Sequence, residues 1–432
     1  MSQTFAEFGL PTRLVDALAG RGIINPFEVQ RATIADALAG RDVCGRAPTG
    51  SGKTLAFGVP LIARVERGFS RRPRALVLAP TRELAEQIAT ELAPLASAVA
   101  RRVTAVYGGV GYGPQRQRLR KGVDILVACP GRLKDLIDQG DVELCDVDIV
   151  VVDEADRMAD MGFLPDVRRL LDQTAKPRQT VLFSATLDGD VAVLTRDYQS
   201  NPVRHEVGPA EPDIKAATHL FWKVSRQDRI GHTAAIIVER GQTIVFCRTR
   251  HGADRLARQL GQAGVSSEAI HGGRSQGQRD RALRAFSAGR VSALVATDVA
   301  ARGIHVDGVA CVVHFDPPED HKAYLHRSGR TARAGATGTV LSLLAHEQVR
   351  AARQMQNALK IEAAIESPGP AGPVGSRPAA SASRPDRVRD GNARPKRPRR
   401  PAGSGGAQPG APGRPKARKA PKRGAKRPRP AR

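Results

Sequence analysis

Residues 149–158 read IVVVDEADRM, four β-branched residues followed directly by a group of acids. The apolar run predicts a strand that is buried on both faces, and Asp153 and Glu154 come at its end. Charged side chains avoid the end of a buried strand unless they bind something there. A solvated loop and a metal site would both explain these acids, so this stretch alone does not distinguish them.

Similar short apolar runs recur on both sides of this stretch, and helical patterns separate them. They are rich in Val, Leu and Ile and mostly do not alternate with polar residues, which predicts parallel sheets flanked by helices. A Gly/Pro-rich segment, 208–217, separates two sets of runs and is typical of an interdomain linker. The runs cover residues 75–79, 124–128, 148–152 and 180–183, then 243–247, 293–296, 310–315 and 339–344.

Two of these runs resemble each other. VLAPTREL (77–84) and VFCRTRHGADRL (245–256) both pass from a strand pattern through Thr-Arg into a helix pattern. A duplicated α/β domain would explain the likeness, although the match is too short to establish duplication. We therefore expect an α/β protein with one domain at 1–207 and a second at 218–366.

The positive charge is concentrated at the C-terminus. The 432-residue chain has a formal charge of +25, and residues 367–432 contain 19 Lys or Arg against two acids. This tail lacks aromatics, Leu and Ile, so we predict that it is disordered. Its basic clusters are expected to bind nucleic-acid phosphates without sequence preference. A nuclear-import signal is the competing interpretation of the same clusters.

Cysteine usage and hydropathy point to a cytoplasmic protein. The five cysteines form no CxxC pair, which favours reduced thiols over a zinc site or a disulfide framework. The N-terminus shows no secretory signal pattern, and no apolar run approaches the ~18 residues of a membrane span. We therefore expect no contact with a membrane.

A glycine-rich stretch, APTGSGKT at 47–54, is the second strong signal. Glycines let backbone N–H groups surround phosphate oxygens, Lys53 would neutralise the β- and γ-phosphates, and the Thr54 hydroxyl would hold Mg²⁺. Such a loop needs a carboxylate at a neighbouring strand end, and Asp153 meets that need. Glu154 could then orient the attacking water and accept its proton. ATP hydrolysis is the leading interpretation of the pair.

These motifs together resemble the DEAD-box RNA helicases, whose name spells Asp153-Glu154-Ala155-Asp156. The likeness runs from about Phe5 to Leu344 and implies two tandem RecA-like domains that bind ATP and Mg²⁺. It implies catalytic roles for Lys53, Asp153, Glu154, Arg330 and Arg333. It implies nucleotide contacts from Phe5, which stacks on adenine, from Gln30, which bonds its edge, and from Thr49, Gly50, Ser51, Gly52, Lys53 and Thr54.

The resemblance also implies an RNA path across both domains. RNA contacts are expected from Pro80, Thr81, Arg82, Gly109, Pro130, Gly131, Arg132, Gln276, Arg279 and Thr297. Coupling of hydrolysis to strand separation is expected to involve Asp156, Ser184, Thr186 and His326. Arg330 and Arg333 belong to the run HRSGRTAR (326–333) and are the expected γ-phosphate ligands.

Three positions depart from the family pattern. Phe27 replaces the usual Thr or Ser after Pro26, and Cys129 replaces the usual Thr before Pro130. His305 replaces the usual Asp of a nucleotide-ribose contact. None of these changes removes a catalytic carboxylate, the loop lysine or the arginines.

The sequence thus predicts a monomeric ATP-dependent RNA helicase that couples RNA-stimulated ATP hydrolysis to remodelling of short duplexes. Ribosomal or mRNA-decay complexes are candidate partners. An ATP-gated RNA clamp or assembly scaffold that rarely separates strands would use the same sites. A DNA-translocating helicase is disfavoured by the motif set, and equal stimulation of the ATPase by DNA and RNA would revive it.

Overall fold

Two seven-stranded sheets carry the fold in the computed structural model, which describes residues 3–48, 50–208, 216–301, 306, 308–332 and 337–369. Every strand pair described in either sheet runs parallel. Helices connect successive strands, as parallel pairing requires. The predicted α/β architecture is therefore confirmed.

The first sheet is built from residues 43–206 and has the order β3-β4-β2-β5-β6-β1-β7. Its acidic stretch lies in the middle, because β5 has β2 on one side and β6 on the other. The strands are β1 (Val43–Arg46), β2 (Ala75–Leu78), β3 (Val103–Val106), β4 (Ile125–Ala128), β5 (Ile149–Asp153), β6 (Gln179–Ser184) and β7 (Val203–Glu206).

The helices of this half surround the sheet. A 3₁₀ helix at Phe5–Phe8 precedes α1 (Thr12–Ala19), α2 (Glu28–Leu38), α3 (Lys53–Arg64), α4 (Arg82–Ala98), α5 (Tyr112–Arg120), α6 (Pro130–Asp138), α7 (Ala155–Asp160), α8 (Leu164–Asp172) and α9 (Gly189–Tyr198). Side chains of each central strand alternate between two apolar clusters, one on each face. This double burial is why the strand runs read as continuously apolar.

The second sheet has the order β10-β11-β9-β12-β13-β8-β14. Its strands are β8 (Ala217–Lys223), β9 (Thr243–Phe246), β10 (Ser267–Ile270), β11 (Ala293–Ala296), β12 (Cys311–His314), β13 (Gly338–Leu344) and β14 (Ile365–Glu366). The helices are α10 (Arg229–Arg240), α11 (Arg250–Gln262), α12 (Gln276–Ser287), α13 (Asp298–Ala301), α14 (His321–Ser328), a 3₁₀ helix (His346–Gln348) and α15 (Val349–Leu359).

The two sheets share one strand order. Counting β8 as the first strand of its own sheet turns the second order into 3-4-2-5-6-1-7, the same as the first. The helix starts also agree, because Thr81 after β2 caps α4 and Thr249 after β9 caps α11 through their hydroxyls. The short sequence likeness between 77–84 and 245–256 therefore corresponds to equivalent positions in two copies of one topology.

Some sequence-based expectations concern residues outside this description. They include most of the predicted linker (209–215) and residues 370–432 of the predicted tail. β8 begins at Ala217, the last residue of that linker segment. The exact domain boundaries stay predictions. Within the described part of the chain, no helix is both long and apolar enough to cross a membrane.

Candidate nucleotide and nucleic-acid site

The glycine-rich stretch at 47–54, which we call the phosphate loop, follows β1 and runs into the first turn of α3. Gly50 and Gly52 have φ of +85° and +91°, left-handed conformations that favour glycine. Lys53 starts α3 with a buried side chain, and its ammonium donates to the carbonyl of Ala47 at 3.1 Å. The 12-residue helix therefore directs its free N–H groups towards the loop, as anion binding requires. Thr49, a predicted loop ligand, lies outside the described residues.

Gln30 holds this loop from the start of α2. Its carboxamide donates to the carbonyl of Gly52 at 2.9 Å and accepts from the N–H of Phe27 at 2.8 Å. A Cβ added to Gly52 would lie 2.5 Å from the Gln30 amide and 2.6 Å from the Phe27 ring. Phe27 therefore contacts the loop through its ring, where the family pattern has a hydroxyl. The predicted bond of Gln30 to adenine stays a prediction.

Phe5 lies at the beginning of the first domain and supports the loop before α2. Its side chain is 1% exposed, its ring lies 6.3 Å from that of Phe8, and its N–H donates to the carbonyl of Ile24. The structure thus places Phe5 in the core beside the segment that leads to Gln30. Its predicted stacking on adenine stays a prediction.

The acids at the end of β5 are buried. Asp153 and Glu154 are 2% and 5% exposed, and burial raises the pKa of Asp153 to about 7, against the opposing effect of Lys53. Asp153 accepts the N–H of Glu154 at 3.0 Å, and Arg157 pairs with the Glu154 carboxylate. A solvated loop is therefore wrong for these two acids.

The backbone of Glu154 also distinguishes this turn. Its φ of +54° lies in the left-handed region, where a residue other than glycine costs roughly 1–2 kcal/mol. That conformation starts α7 and turns the chain sharply after β5. Strain of this kind in a buried acidic turn is typical of a functional site.

Thr54 and Asp153 are suitable ligands for Mg²⁺, which prefers oxygen donors and keeps several of its ligands from water and phosphate. Asp153 supplies a buried carboxylate and Thr54 a hydroxyl from the first turn of α3. Among the residues described, no group of three or more His, Cys, Asp or Glu could hold a metal.

Glu91 on α4 is a neighbour of Thr54 that the sequence did not reveal. Burial raises the pKa of Glu91, while Arg21 and a hydrogen bond with the Thr54 side chain oppose that shift. The hydroxyl predicted to hold Mg²⁺ thus lies near a carboxylate on the neighbouring helix. Only the packing of α3 against α4 brings these residues together.

Ser184 links the acidic turn to the phosphate loop. Its side chain is fully buried, its hydroxyl accepts the N–H of Asp156 at 3.2 Å, and its carbonyl accepts the N–H of Ala47 at 3.2 Å. Thr186 lies half-buried two residues further on. These bonds provide a direct contact through which the predicted coupling could act, and the coupling itself stays a prediction.

The predicted RNA residues of the first domain follow three adjacent strands. Thr81 and Arg82 follow β2, Gly109 follows β3, and Pro130, at the start of α6, follows β4 together with Gly131. The Arg82 guanidinium packs against Gly109, whose φ is +80°, and fills the space where a Cβ would lie. The structure thus brings these motifs to one edge of the sheet.

Arg132 on α6 has an unusual environment. It is 8% exposed and lies 4.0 Å above the ring of Tyr112. One guanidinium nitrogen donates to the carbonyl of Val110, while Nε and a second terminal nitrogen are buried without a hydrogen-bond partner. Tyr112 donates to Asp135 at 3.1 Å. Tyr112 was missed in the sequence because one aromatic beside Gly111 carries no motif.

Cys129 immediately precedes this helix at the position where the family has Thr. Burial raises the pKa of its thiol to about 12. The thiol is therefore neutral at physiological pH. A neutral thiol is a weaker hydrogen-bond donor than a hydroxyl, so we expect a weaker RNA contact here than the family's Thr would give.

A buried contact joins the first half of the chain to α12. Glu83 accepts from Arg279 at 2.9 Å and from Gln276 at 3.1 Å, and Gln276 also donates to Asp280. Glu83 and Arg279 side chains are each 8% exposed. Burial lowers the pKa of Arg279, and Glu83 opposes that shift. Two predicted RNA residues are thus ion-paired or hydrogen-bonded across the halves, and Glu83 was not among the predicted site residues.

In the second half, Asp298 and Arg327 form the best-defined pair. The Arg327 guanidinium donates to both carboxylate oxygens at 2.6 and 2.7 Å and to the carbonyl of Asp316. Thr297, buried, immediately precedes Asp298 at the end of β11. This bidentate pair fixes α14 against the end of β11.

Arg330 follows α14 and is 5% exposed, and it lines a small cavity with Asp298 and the half-buried His326. Arg333, the second predicted γ-phosphate ligand, lies outside the described residues, as do Arg302, Gly303 and His305. The approach of Arg330 to a bound nucleotide stays a prediction.

Comparisons with known proteins agree with these motifs. The family model for the DEAD/DEAH box helicase matches residues 27–194, and the model for the helicase conserved C-terminal domain matches 229–335. The chain is 40% identical over 365 residues to DEAD-box ATP-dependent RNA helicase 3B, chloroplastic, of Zea mays, covering 81% of this chain and 48% of that protein. It is 41% identical over 352 residues to ATP-dependent RNA helicase DBP2 of Candida albicans, covering 78% and 62%.

Among solved structures, Dbp5 of S. cerevisiae bound to RNA and ADP BeF3 matches with a TM-score of 0.74 and 27% identity. The match covers 84% of this chain and 95% of that one. The chain spans about half of the maize relative and less than two thirds of the Candida relative. The fold of this chain is thus similar to that of a protein solved with RNA and ADP BeF3.

Proposed function

Because the chain belongs to the DEAD/DEAH box helicase family, we propose that it is an ATP-dependent RNA helicase. It couples RNA-stimulated ATP hydrolysis to local unwinding or remodelling of RNA duplexes. The observation that carries the proposal is the buried pair Asp153–Glu154 beside Lys53 at the end of one sheet. Buried acids next to a phosphate-loop lysine are suited to binding a metal and activating water in the hydrolysis of a nucleoside triphosphate.

ATP binding is assigned to the loop that ends at Lys53 and to Gln30, which holds that loop in place. The Lys53 ammonium would leave the Ala47 carbonyl and contact the phosphates. Mg²⁺ held by Thr54 and Asp153 would supply positive charge beside the β- and γ-phosphates. The resulting site binds the triphosphate end of the nucleotide in the first domain.

Hydrolysis is assigned to Glu154. Its carboxylate orients a water molecule towards the γ-phosphorus and accepts a proton as the new P–O bond forms. The bond between the γ-phosphorus and the bridging oxygen breaks, and ADP leaves with the bonding electrons. Arg157 pairs with Glu154 and keeps its carboxylate in position. Product phosphate carries the proton away.

The second domain completes the site. Arg330 and Arg333 stabilise charge on the transferred phosphoryl group when the two domains close, an effect typically worth roughly 10³–10⁵ in rate. RNA lying across Arg82, Arg132 and Thr297 would favour that closure, which makes hydrolysis depend on RNA. Bending of one strand along this path would release a short complementary strand.

Strand separation tests the proposal. A short RNA duplex with one labelled strand is incubated with the protein and ATP, and release of the labelled strand is followed on a native gel. Release with ATP, and its failure with ADP, is expected. Stable ATP-dependent retention of single-stranded RNA without release would instead support the clamp or scaffold. The cytoplasmic location, the monomeric state and the ribosomal or mRNA-decay partners stay predictions.

A further inference from the structure

The second sheet has a cavity at the position where the first sheet holds its nucleotide loop. In the shared strand order, β8, β12 and β13 are the equivalents of β1, β5 and β6. A cavity of about 600 Å³ lies at the ends of these strands and of β9. The cavity in the second half thus lies at the strand ends equivalent to those that carry the glycine loop in the first half. The residues around the two positions differ.

Positive charge predominates in this cavity, which we call the arginine pocket. Its lining residues include four cations and two acids, Lys223, Arg226, Arg229, Arg248, Asp316 and Glu347. The Asp316 carboxylate accepts the backbone N–H of Arg248 at 2.8 Å, so its charge is partly compensated by the main chain. The cations therefore exceed the acids that face them.

Arg229 forms the floor of the arginine pocket at the start of α10. One terminal nitrogen donates to the carbonyl of Leu343 at 2.7 Å, and the guanidinium lies 5.2 Å from the ring of Phe315. Its Nε is buried without a hydrogen-bond partner. Burial lowers its pKa, the Asp316 carboxylate opposes that shift, and the charge of Arg226 adds to it. An anion in the pocket would lie beside the guanidinium groups of Arg226 and Arg229.

The local sequence shows which anions the pocket can take. Residues 223–229 read KVSRQDR and contain no glycine, so they lack the feature that favours a loop of backbone N–H groups around a triphosphate. Arginine side chains instead recognise the paired oxygens of single phosphate groups. The pocket therefore suits phosphates that are presented one at a time along a chain.

We propose that the arginine pocket binds backbone phosphates of an RNA strand that continues past Thr297 and the end of β9. The proposal rests on the proposed function, which places RNA at the end of β11. β9, which leads to Arg248, lies between β11 and β12. Neighbouring strands are about 4.8 Å apart, so the pocket begins within a few nucleotides of Thr297.

A length series of single-stranded RNA tests this proposal. Fluorescence anisotropy gives the affinity of the full-length protein for RNAs of increasing length, from six to about fourteen nucleotides, extended at either end. The test variant is Arg226→Ala with Arg248→Ala, because both side chains are exposed. The matched control is Arg240→Ala with Arg290→Ala, equally exposed residues at the opposite edge of the same sheet. The basic tail is present in all of these proteins.

The test variant should lose roughly tenfold in affinity for the longer RNAs and bind the shortest ones within twofold of wild type. Its salt slope should fall by about 1.4, which corresponds to two single-strand phosphate contacts. The control should match wild type, and Arg226→Lys with Arg248→Lys should recover most of the slope.

Equal binding by the test variant and its control at every length would overturn the proposal. An equal loss for short and long RNAs would also overturn it, because the arginines would then not serve the extension. If tripolyphosphate binds wild type and not the test variant while both proteins gain equally in affinity from longer RNA, that result would overturn the proposal and make the pocket a site for free phosphate. RNA-stimulated ATP turnover by wild type is measured separately, and its absence would reject the proposed function instead.

Discussion

The two sheets of this protein have one strand order and different chemistry at equivalent ends. In the first sheet, β1 leads into a glycine loop and β5 into buried acids. In the second sheet, β8 leads into a segment without glycine, and arginines surround the end of β12. Topology therefore decides where loops converge, and the residues in those loops decide whether the convergence binds a nucleotide.

The largest effect on ATP turnover is expected when the second half loses the arginine that it contributes to the nucleotide site. Arg330→Gln should reduce RNA-stimulated ATP turnover by roughly 10³-fold or more, because it removes a guanidinium from the charge that develops on the phosphoryl group. The measurement is kcat at saturating RNA. The exposed residue Arg284 provides a control substitution, Arg284→Gln, on the same half. Comparable kcat values for the two variants would contradict a catalytic role for Arg330.

The first half should show a nearly equal effect at its acidic turn. Glu154→Gln should leave ATP binding intact and lower kcat by about 10²–10⁴-fold, since an amide cannot accept the proton of water. Nucleotide binding is measured by fluorescence titration, and turnover by phosphate release. Glu143→Gln, an exposed change in the same half, is the control. Normal RNA-stimulated turnover in Glu154→Gln would remove the role given to that residue.

Substituting two glycines in turn distinguishes the stability cost of a strained backbone from an effect on ATP binding. Gly52 and Gly264 both have positive φ, +91° and +83°, and only Gly52 has neighbours in the space of a Cβ. Gly264→Ala should cost only about 1–2 kcal/mol of unfolding free energy. Gly52→Ala should in addition displace Gln30 or Phe27 and weaken ATP binding at least about tenfold, a loss of ~1.4 kcal/mol. Equal ATP affinities of the two variants would show that the contact of Gln30 with the phosphate loop is not needed for ATP binding.

The smallest effect concerns one histidine in each sheet, His314 on β12 and His205 on β7. His314 is fully buried against Ser342, Phe246 and Tyr324, and burial, with the nearby charges of Arg327 and His219, holds its pKa well below the usual value. Its folded form is therefore neutral. Stability should be lost as pH falls below about 6.5, because only the unfolded chain then gains a proton.

His205 on β7 of the first sheet is only partly buried, and its Nε2 lies 2.6 Å from a carboxylate oxygen of Asp36. Burial, with Arg41, lowers its pKa too, so the same direction with a smaller slope is expected. Melting temperatures from pH 5 to 8 are compared for His314→Asn and His205→Asn. His314→Asn should flatten the acid loss more. An unchanged acid slope in His314→Asn would show that this histidine does not set the pH dependence.

The central strands could be predicted because they are buried on both faces. β2, β5 and β11 read as continuous apolar runs, and their helix partners repeat with helical spacing. The outer strands β7 and β10 were not predicted, since their half-exposed residues, VRHE and SEAI, lack such a run. Short strands at a sheet edge gain their stability from one neighbour and leave little trace in a sequence.

The residues proposed to bind nucleotide could be named from the sequence, because a glycine-rich loop combined with acids at a strand end has few other uses. The contact of Glu83 with Arg279 was not, because the two residues lie far apart in the chain and meet only after both halves fold. The ring of Tyr112 under Arg132 and the contact of Glu91 with Thr54 are likewise consequences of helix packing. Local motifs therefore indicated the candidate site residues, and tertiary packing determined the side chains that surround them.

The division of labour between the halves is tested most directly by ATP turnover of the full-length protein without nucleic acid, with single-stranded RNA and with DNA, over a salt series. If the first half binds the nucleotide and arginines of the second half complete the site, turnover should be slow without nucleic acid. RNA should increase it at least about 10²-fold. DNA should give little increase. Turnover that is equally fast without nucleic acid, or equally stimulated by DNA, would contradict RNA-dependent completion of the site.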